Sequence, residues 1–347
     1  MPALPAQRRG RQRRTRLVCS LLALVVFGLL AADILLGSFT VTVPDFLAIL
    51  GGKNIPGASF IVMENKLPRS ILALLVGAAF GVAGQIFQTM LRNPLASPDV
   101  IGISSGASAS AVVAIVLFSA SGAAVSVLAV LGALVVAGTI SLLARGRSGA
   151  ALARAGGRLI LIGIGVAALM NALVVFLMQR AQVYRAQEAL IWLTGSLNQA
   201  SWQRIGVLLV GLMVVAPFAV FYLSRLRVLV LGGDLAAGLG VPVSRTVLGL
   251  SAVGVALAAL ATAATGPISF VSFLAGPISR RLLRGRVSFA AAALVGAGIV
   301  LAADYAAAYL LPGGAMPVGV VTGAAGAPFL LWLLARGSGS GTGQTRS

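Results

Sequence analysis

The chain has 347 residues, of which 59% are hydrophobic and 10% charged, with a formal net charge of +19 and a mean hydropathy of +1.03. Soluble domains carry roughly 25% charged residues, so a water-soluble globule is excluded. With one cysteine, Cys19, and no histidine, intrachain disulfides, thiolate metal clusters and imidazole chemistry are excluded too.

Residues 1–16 read as a basic cytoplasmic tail, and RRGRQRRTR (Arg8 to Arg16) runs straight into the apolar stretch 17–37. An arginine-rich arm of this kind suits RNA, but directly before a span it is a positive-inside anchor, and no nucleic-acid partner is expected. The first run exceeds a signal-peptide core in length and is read as a retained span. Further apolar runs follow at about 67–91, 100–119, 124–144, 159–180, 203–223, 246–266, 268–283, 288–311 and 317–335. Each suits a hydrocarbon core about 30 Å thick, the run 268–283 being the shortest. The runs are continuous rather than alternating with period two, which excludes a β-barrel. The expectation is an all-α polytopic membrane protein of about ten spans with both termini cytoplasmic. Basic residues agree, since that topology puts 20 of the 26 Lys and Arg on the inner side.

Between the spans, the outer segment 38–66 contains PDFLAIL (Pro44 to Leu50), read as a short surface helix. The outer segment 181–202 contains EALIWLTGSLNQASW, read as an interfacial or re-entrant helix. The inner loop 224–245 holds GDLAAGLGV (Gly233 to Val241), a short helix started by Asp234 and stopped by Gly240. Leu235 and Leu239 give that helix an apolar ridge with nothing evident to cover it, which suggests a docking partner. The chain ends in a flexible tail at 337–347.

Two catalytic patterns fail on inspection. Gly102–Gly106 matches G-x-S-x-G, but a serine nucleophile needs a base and a preceding strand, and neither is evident. The GGKN at Gly51–Asn54 has Leu47 and Asn54 where a P-loop needs Gly and Ser or Thr. Gly102–Gly106, Gly77–Gly81 and Gly319–Gly323 all read G-x-x-x-G, which lets helices approach closely. Asp33 and Asp304 lie in or near spans, as structural carboxylates or as proton relays. Asn171 and Gln179, eight residues apart, share a helical face and either line a polar pathway or bind helices together.

The run NKLPRSILALLVGAAFGVAGQIFQTMLRNPLASPDVIGISSGAS closely resembles the second-span signature of the FecCD family. These are permease subunits of ABC importers for ferric siderophores, haem and vitamin B12. IGIGVAALMNAL, LTGSLNQASW, GDLAAGLGV, ATGPISFVSFLAGPISRR and LPGGAMPVGVVTGAAGAPFLLWLL follow in the family's order over residues 20–336. The resemblance implies a type II ABC importer permease in the bacterial inner membrane, with residues 17–336 as its transmembrane domain. It would have no cofactor and no catalysis of its own, and it would pair with a second permease copy or a sister chain. ABC ATPase subunits would couple through Asp234, Leu235, Ala236, Ala237, Gly238, Leu239 and Gly240. A periplasmic or lipid-anchored binding protein would dock on Lys66 and Arg69. RNPLASPD resembles the family's inner-side break, where Asn-Pro and Ser-Pro stop one helix while Asp99 and the serines satisfy the next. Ser104 and Ser105 would then face neighbouring helices or the pathway. The chain departs from the family at Gly276 and Pro277, where Pro-His is frequent, at Lys66, where Arg is commoner, and at Ala308, where many members carry Arg. Ala308 fits pairing with a non-identical sister. The wording of the motifs is most like ferric-enterobactin-type permeases, which implies a ferric siderophore as cargo, with haem or cobalamin as the alternative. A proton-coupled secondary transporter is the competing class.

Overall fold

A computed structural model describes residues 3–37, 39–99, 102–144, 152–311 and 316–337. Among them every regular element is a helix, as hydrocarbon demands, because each backbone N–H and C=O must find a partner within its own segment. In chain order these are α1 (Ala3–Leu35), α2 (Val43–Leu50), α3 (Ala58–Phe60), α4 (Leu67–Met90), α5 (Ile103–Phe118), α6 (Ala123–Ala144) and α7 (Leu152–Arg180). There follow α8 (Val183–Thr194), α9 (Trp202–Leu229), α10 (Gly233–Gly238), α11 (Val243–Thr265), α12 (Val271–Leu282), α13 (Phe289–Tyr305) and α14 (Val318–Gly337). π-helical turns at Ile61–Lys66 and Ala306–Leu310 extend α4 at its start and α13 at its end.

Seven of these helices are long and apolar enough to cross a membrane: α1, α4, α6, α7, α9, α11 and α13. Shorter apolar stretches lie at Ile103–Phe118 and Val318–Trp332. The expected full span at 268–283 is corrected to a half-helix. With 12 residues, α12 is about 18 Å long against a core of about 30 Å. The non-helical segment 266–270 makes up the remainder of that crossing, with positive φ at Gly266 (+77°) and Phe270 (+66°). Gly266 lies against the carbonyl of Trp192 at the outer side, while Leu282 O accepts from Arg14 Nη2 (3.3 Å) at the inner side.

At its other end the chain is more helical than expected. The basic segment before residue 17 continues α1 without a break, since arginine and glutamine are good helix formers. At 33 residues α1 is about 50 Å long, so its inner turns stand clear of the hydrocarbon. The expected tail 337–347 lies, from 338 onward, outside the described residues.

The central helix is α4, which packs on α13, α11 and α12 and is buried at nearly every position from Gly77 to Met90. Glycine permits this density. A Cβ on Gly77 would stand 2.5 Å from Gly296 O of α13, and one on Gly81 would collide with Ala292 O. The two backbones thus touch, and dispersion replaces the hydrophobic effect as the source of helix adhesion. The other two G-x-x-x-G pairs divide: Gly106 packs on Val136 and Gly319 on Thr194, whereas nothing lies near Gly323.

Candidate functional site

Four charged side chains meet at the outer ends of α1, α4 and α13. Lys66 is buried, and its ammonium donates to Ile34 O (3.0 Å), Leu36 O (2.5 Å) and Phe39 O (2.7 Å). Ile34 lies in the last turn of α1 and Leu36 and Phe39 just beyond it, so Lys66 sits at the negative end of that helix dipole and holds the chain that leaves it. The expected docking role of Lys66 is therefore corrected: an ammonium has three N–H groups, and all three are engaged inside the protein. Arg69 pairs in bidentate fashion with Asp304, Nε to Oδ2 at 2.8 Å and Nη2 to Oδ1 at 2.9 Å. Its Nη1 donates to Asn198 Oδ1 (2.8 Å). The Arg69 side chain is 16% exposed and that of Asp304 is fully buried. Asp33, also buried, accepts from Ser70 Oγ (2.5 Å). Two cations and two carboxylates make the cluster neutral, and Asp304 is held in a fixed pair rather than open to water.

The second polar group lies where two crossings are broken. Asp99, in the segment between α4 and α5, accepts from Ser104 Oγ of α5 at one oxygen and from Ser272 Oγ of α12 (2.8 Å) at the other. The expected satisfaction of the start of α5 by Asp99 and the serines is corrected: Gly102, with φ +86°, stands there without a side-chain cap, and the serines bond to Asp99 instead. Beside it, Gln88 Nε2 donates to Phe273 O (3.0 Å) while its Oε1 accepts from Arg280 Nη2 (2.7 Å). Gly84 lies against the backbone of Ser272 and Gly276 against the Gln88 side chain. Irregular backbone at membrane depth is tolerated where protein surrounds it and completes its hydrogen bonds.

On the cytoplasmic side, α10 rests on the ends of α9 and α11. Ala236 is buried beneath it, while Leu235 and Leu239 are 63% and 66% exposed. Asp234, Ala237, Gly238 and Gly240 are also exposed, and no atom lies within 4 Å of where a Gly238 Cβ would be. The apolar ridge anticipated there is uncovered in the single chain. Asn171 and Gln179 both lie on the exposed surface of α7, and Ser104 and Ser105 are half-buried. The structure thus separates the pathway candidates, with Ser104 tied to Asp99 and the α7 pair facing outward. Sequence reasoning missed Asn198 and Ser272, each a common polar residue whose partner lies more than a hundred residues away.

A helical membrane transport protein is what these features define: broken spans, an uncovered cytoplasmic ridge and charges paired within the bundle. Residues 21–336 match the model of the FecCD transport family. The ferric enterobactin transport system permease protein FepG of Escherichia coli K12 is 40% identical over 93% of this chain and 96% of its own. The achromobactin transport system permease protein CbrC of Dickeya dadantii 3937 is 38% identical over 91% and 90%. Among solved structures, an inward-facing metal-chelate type ABC transporter superposes with a TM-score of 0.80 at 25% identity, covering 92% of this chain and 99% of that one. The chain belongs to the FecCD transport family. It is a multi-pass inner-membrane permease subunit of an ABC importer, with ATP hydrolysis on separate ATPase subunits and delivery by a binding protein.

Proposed function

We propose that this permease imports a ferric siderophore and does so as one half of a pair with a non-identical sister chain. The observation that carries the cargo is the 40% identity, across nearly the whole of both chains, to a ferric enterobactin permease. With no histidine and one cysteine in the chain, the iron would travel inside its chelator and meet a weakly binding wall. Asn171 and Gln179, exposed on the apolar helix α7, suit such a wall between the two paired chains, with Ser104 and Ser105 nearer its inner end. The sister chain is supported by Ala308, where many family members carry Arg, and by the engagement of Lys66 and Arg69 inside the protein, which leaves those three positions without a free cation for binding-protein docking. On the inner side, Asp234 to Gly240 form the coupling helix, whose leucines would enter a cleft of the ATPase.

The test is uptake of radiolabelled iron, supplied as a panel of ferric siderophores, in a strain deleted for this gene. The strain is complemented with wild type or Gly238→Arg, with and without the ATPase gene. The expected result is ATPase-dependent uptake of one siderophore class, lost in Gly238→Arg at normal membrane abundance. Wild-type uptake by Gly238→Arg would sink the coupling assignment. Undiminished siderophore uptake in a deletion strain lacking redundant importers would move the cargo to haem or cobalamin.

A further inference from the structure

A cleft of about 190 Å³ lies between the start of α6, the start of α9 and the end of α11. All three of these helix ends are on the outer side. The cleft's deeper walls are aliphatic, formed by Val130, Leu208 and Leu260. At its mouth Val127 and Val207 are 56% and 60% exposed, so it opens sideways onto hydrocarbon rather than upward to water. Its rim is polar, with Ser201, Gln203 and Arg204.

Arg204 is half-buried and held in place. Its Nη1 donates to Ala264 O (3.3 Å) and its Nη2 to Gln199 Oε1 (2.7 Å), both neutral acceptors, and among the described residues no carboxylate pairs with it. Trp202, two residues earlier, is 40% exposed and donates its indole N–H to Met63 O (2.8 Å). Half-exposed tryptophans of this kind mark headgroup depth. The positive end of α9 adds to the same local field, with Ser201 Oγ capping the Arg204 N–H (3.3 Å). A fixed, uncompensated cation at headgroup depth thus stands over an apolar slot open to the bilayer.

We propose that this cleft binds one outer-leaflet phospholipid, one of its two acyl chains entering between α6, α9 and α11 and its phosphodiester on the Arg204 guanidinium. An anionic headgroup is preferred over a zwitterionic one, whose ammonium would add a second positive charge beside Arg204. The sideways mouth and aliphatic walls set this site apart from any route for a hydrated chelate.

Native mass spectrometry tests this on the full-length chain in detergent after incubation with equal amounts of phosphatidylglycerol and phosphatidylethanolamine. The expected result is one retained phosphatidylglycerol per chain. Arg204→Lys keeps that preference, and Arg204→Gln lowers it about fivefold, the effect of one interfacial cation on an anionic lipid. Val127→Trp, at an already exposed position, fills the mouth and removes both lipids while leaving the bundle intact. Equal retention of the two lipids by the wild type, or unchanged phosphatidylglycerol in Val127→Trp, would overturn the proposal. An independent reading in vesicles uses bromine-labelled lipids and a Trp192→Phe/Trp332→Phe chain that leaves Trp202 as its one tryptophan, with Trp202 expected to be quenched more by phosphatidylglycerol than by phosphatidylethanolamine. Equal quenching would also overturn it.

Discussion

Removing Arg69 from the outer cluster should cost more than removing its partner Asp304. Arg69→Met leaves the Asp304 carboxylate, fully buried, without a counter-charge. Breaking a buried pair from one side costs about 3–5 kcal/mol, because the remaining charge stays desolvated. At about 2.1 cal/mol/K per residue, 347 residues give an unfolding entropy of about 0.7 kcal/mol/K and a Tm loss of about 4–7 °C. Asp304→Leu should cost less, since Arg69 retains Asn198 and, at 16% exposure, can turn toward water. The double variant Arg69→Met/Asp304→Leu removes both charges and should recover most of the loss, giving a strongly non-additive cycle. The assay is the fraction of detergent-solubilised chain that remains monodisperse after heating, measured for all four members. Additive losses, or an unchanged Tm in Arg69→Met, would show that solvent already screens the pair and would refute this reasoning.

Lys66→Met should lower stability by on the order of 2–3 kcal/mol by orphaning the carbonyls of Ile34, Leu36 and Phe39 at and just beyond the end of α1, read in the same heating assay. Gly84→Val should yield no folded chain, because a side chain there meets the Ser272 backbone, whereas Gly323→Ala, with open space around it, should reach wild-type abundance in membranes. Asp99→Ala leaves the hydroxyls of Ser104 and Ser272 without their acceptor and should cost about 1–3 kcal/mol. Asp99→Asn, which keeps one acceptor oxygen, should cost less, and Ser104→Ala alone should leave iron uptake nearly unchanged.

The spans were legible because hydrocarbon imposes a length and a composition, and nine of the ten expected runs coincide with apolar helices. The tenth misled because ATGPISFVSFLAGPISRR is apolar over the right length, while Gly266 and Phe270 take backbone angles that hydropathy does not register. Residue types in the candidate site were also legible: Arg69, Asp304, Asp33, Lys66 and Asp99 all stand out as charges in greasy surroundings. Their pairing was not, since Arg69 and Asp304 are 235 residues apart and helix packing alone brings them together. Lys66 shows the same limit in reverse. The resemblance to the family implies docking for this basic residue, and only the fold reveals that the chain at the end of α1 arrives to occupy it.

The distribution of polar contacts also separates a rigid half from one held more loosely. In the outer half, a bidentate ion pair, a triply bonded ammonium and the glycine-packed α4–α13 seam leave little room for adjustment. Below it, the short helices α5 and α12 begin from non-helical segments, and side-chain hydrogen bonds join those starts to each other. Arg92, at the start of the α4–α5 break, donates to Val230 O (3.0 Å) at the end of α9, next to the coupling ridge α10. Seven residues on, Asp99 ties the same break to α5 and to α12. A displacement of α10 would therefore act first on the ends of α9 and α11, on which it rests, and would pass from α9 to the α4–α5 break through the single Arg92 hydrogen bond, worth about 1.5–3 kcal/mol for a charged donor.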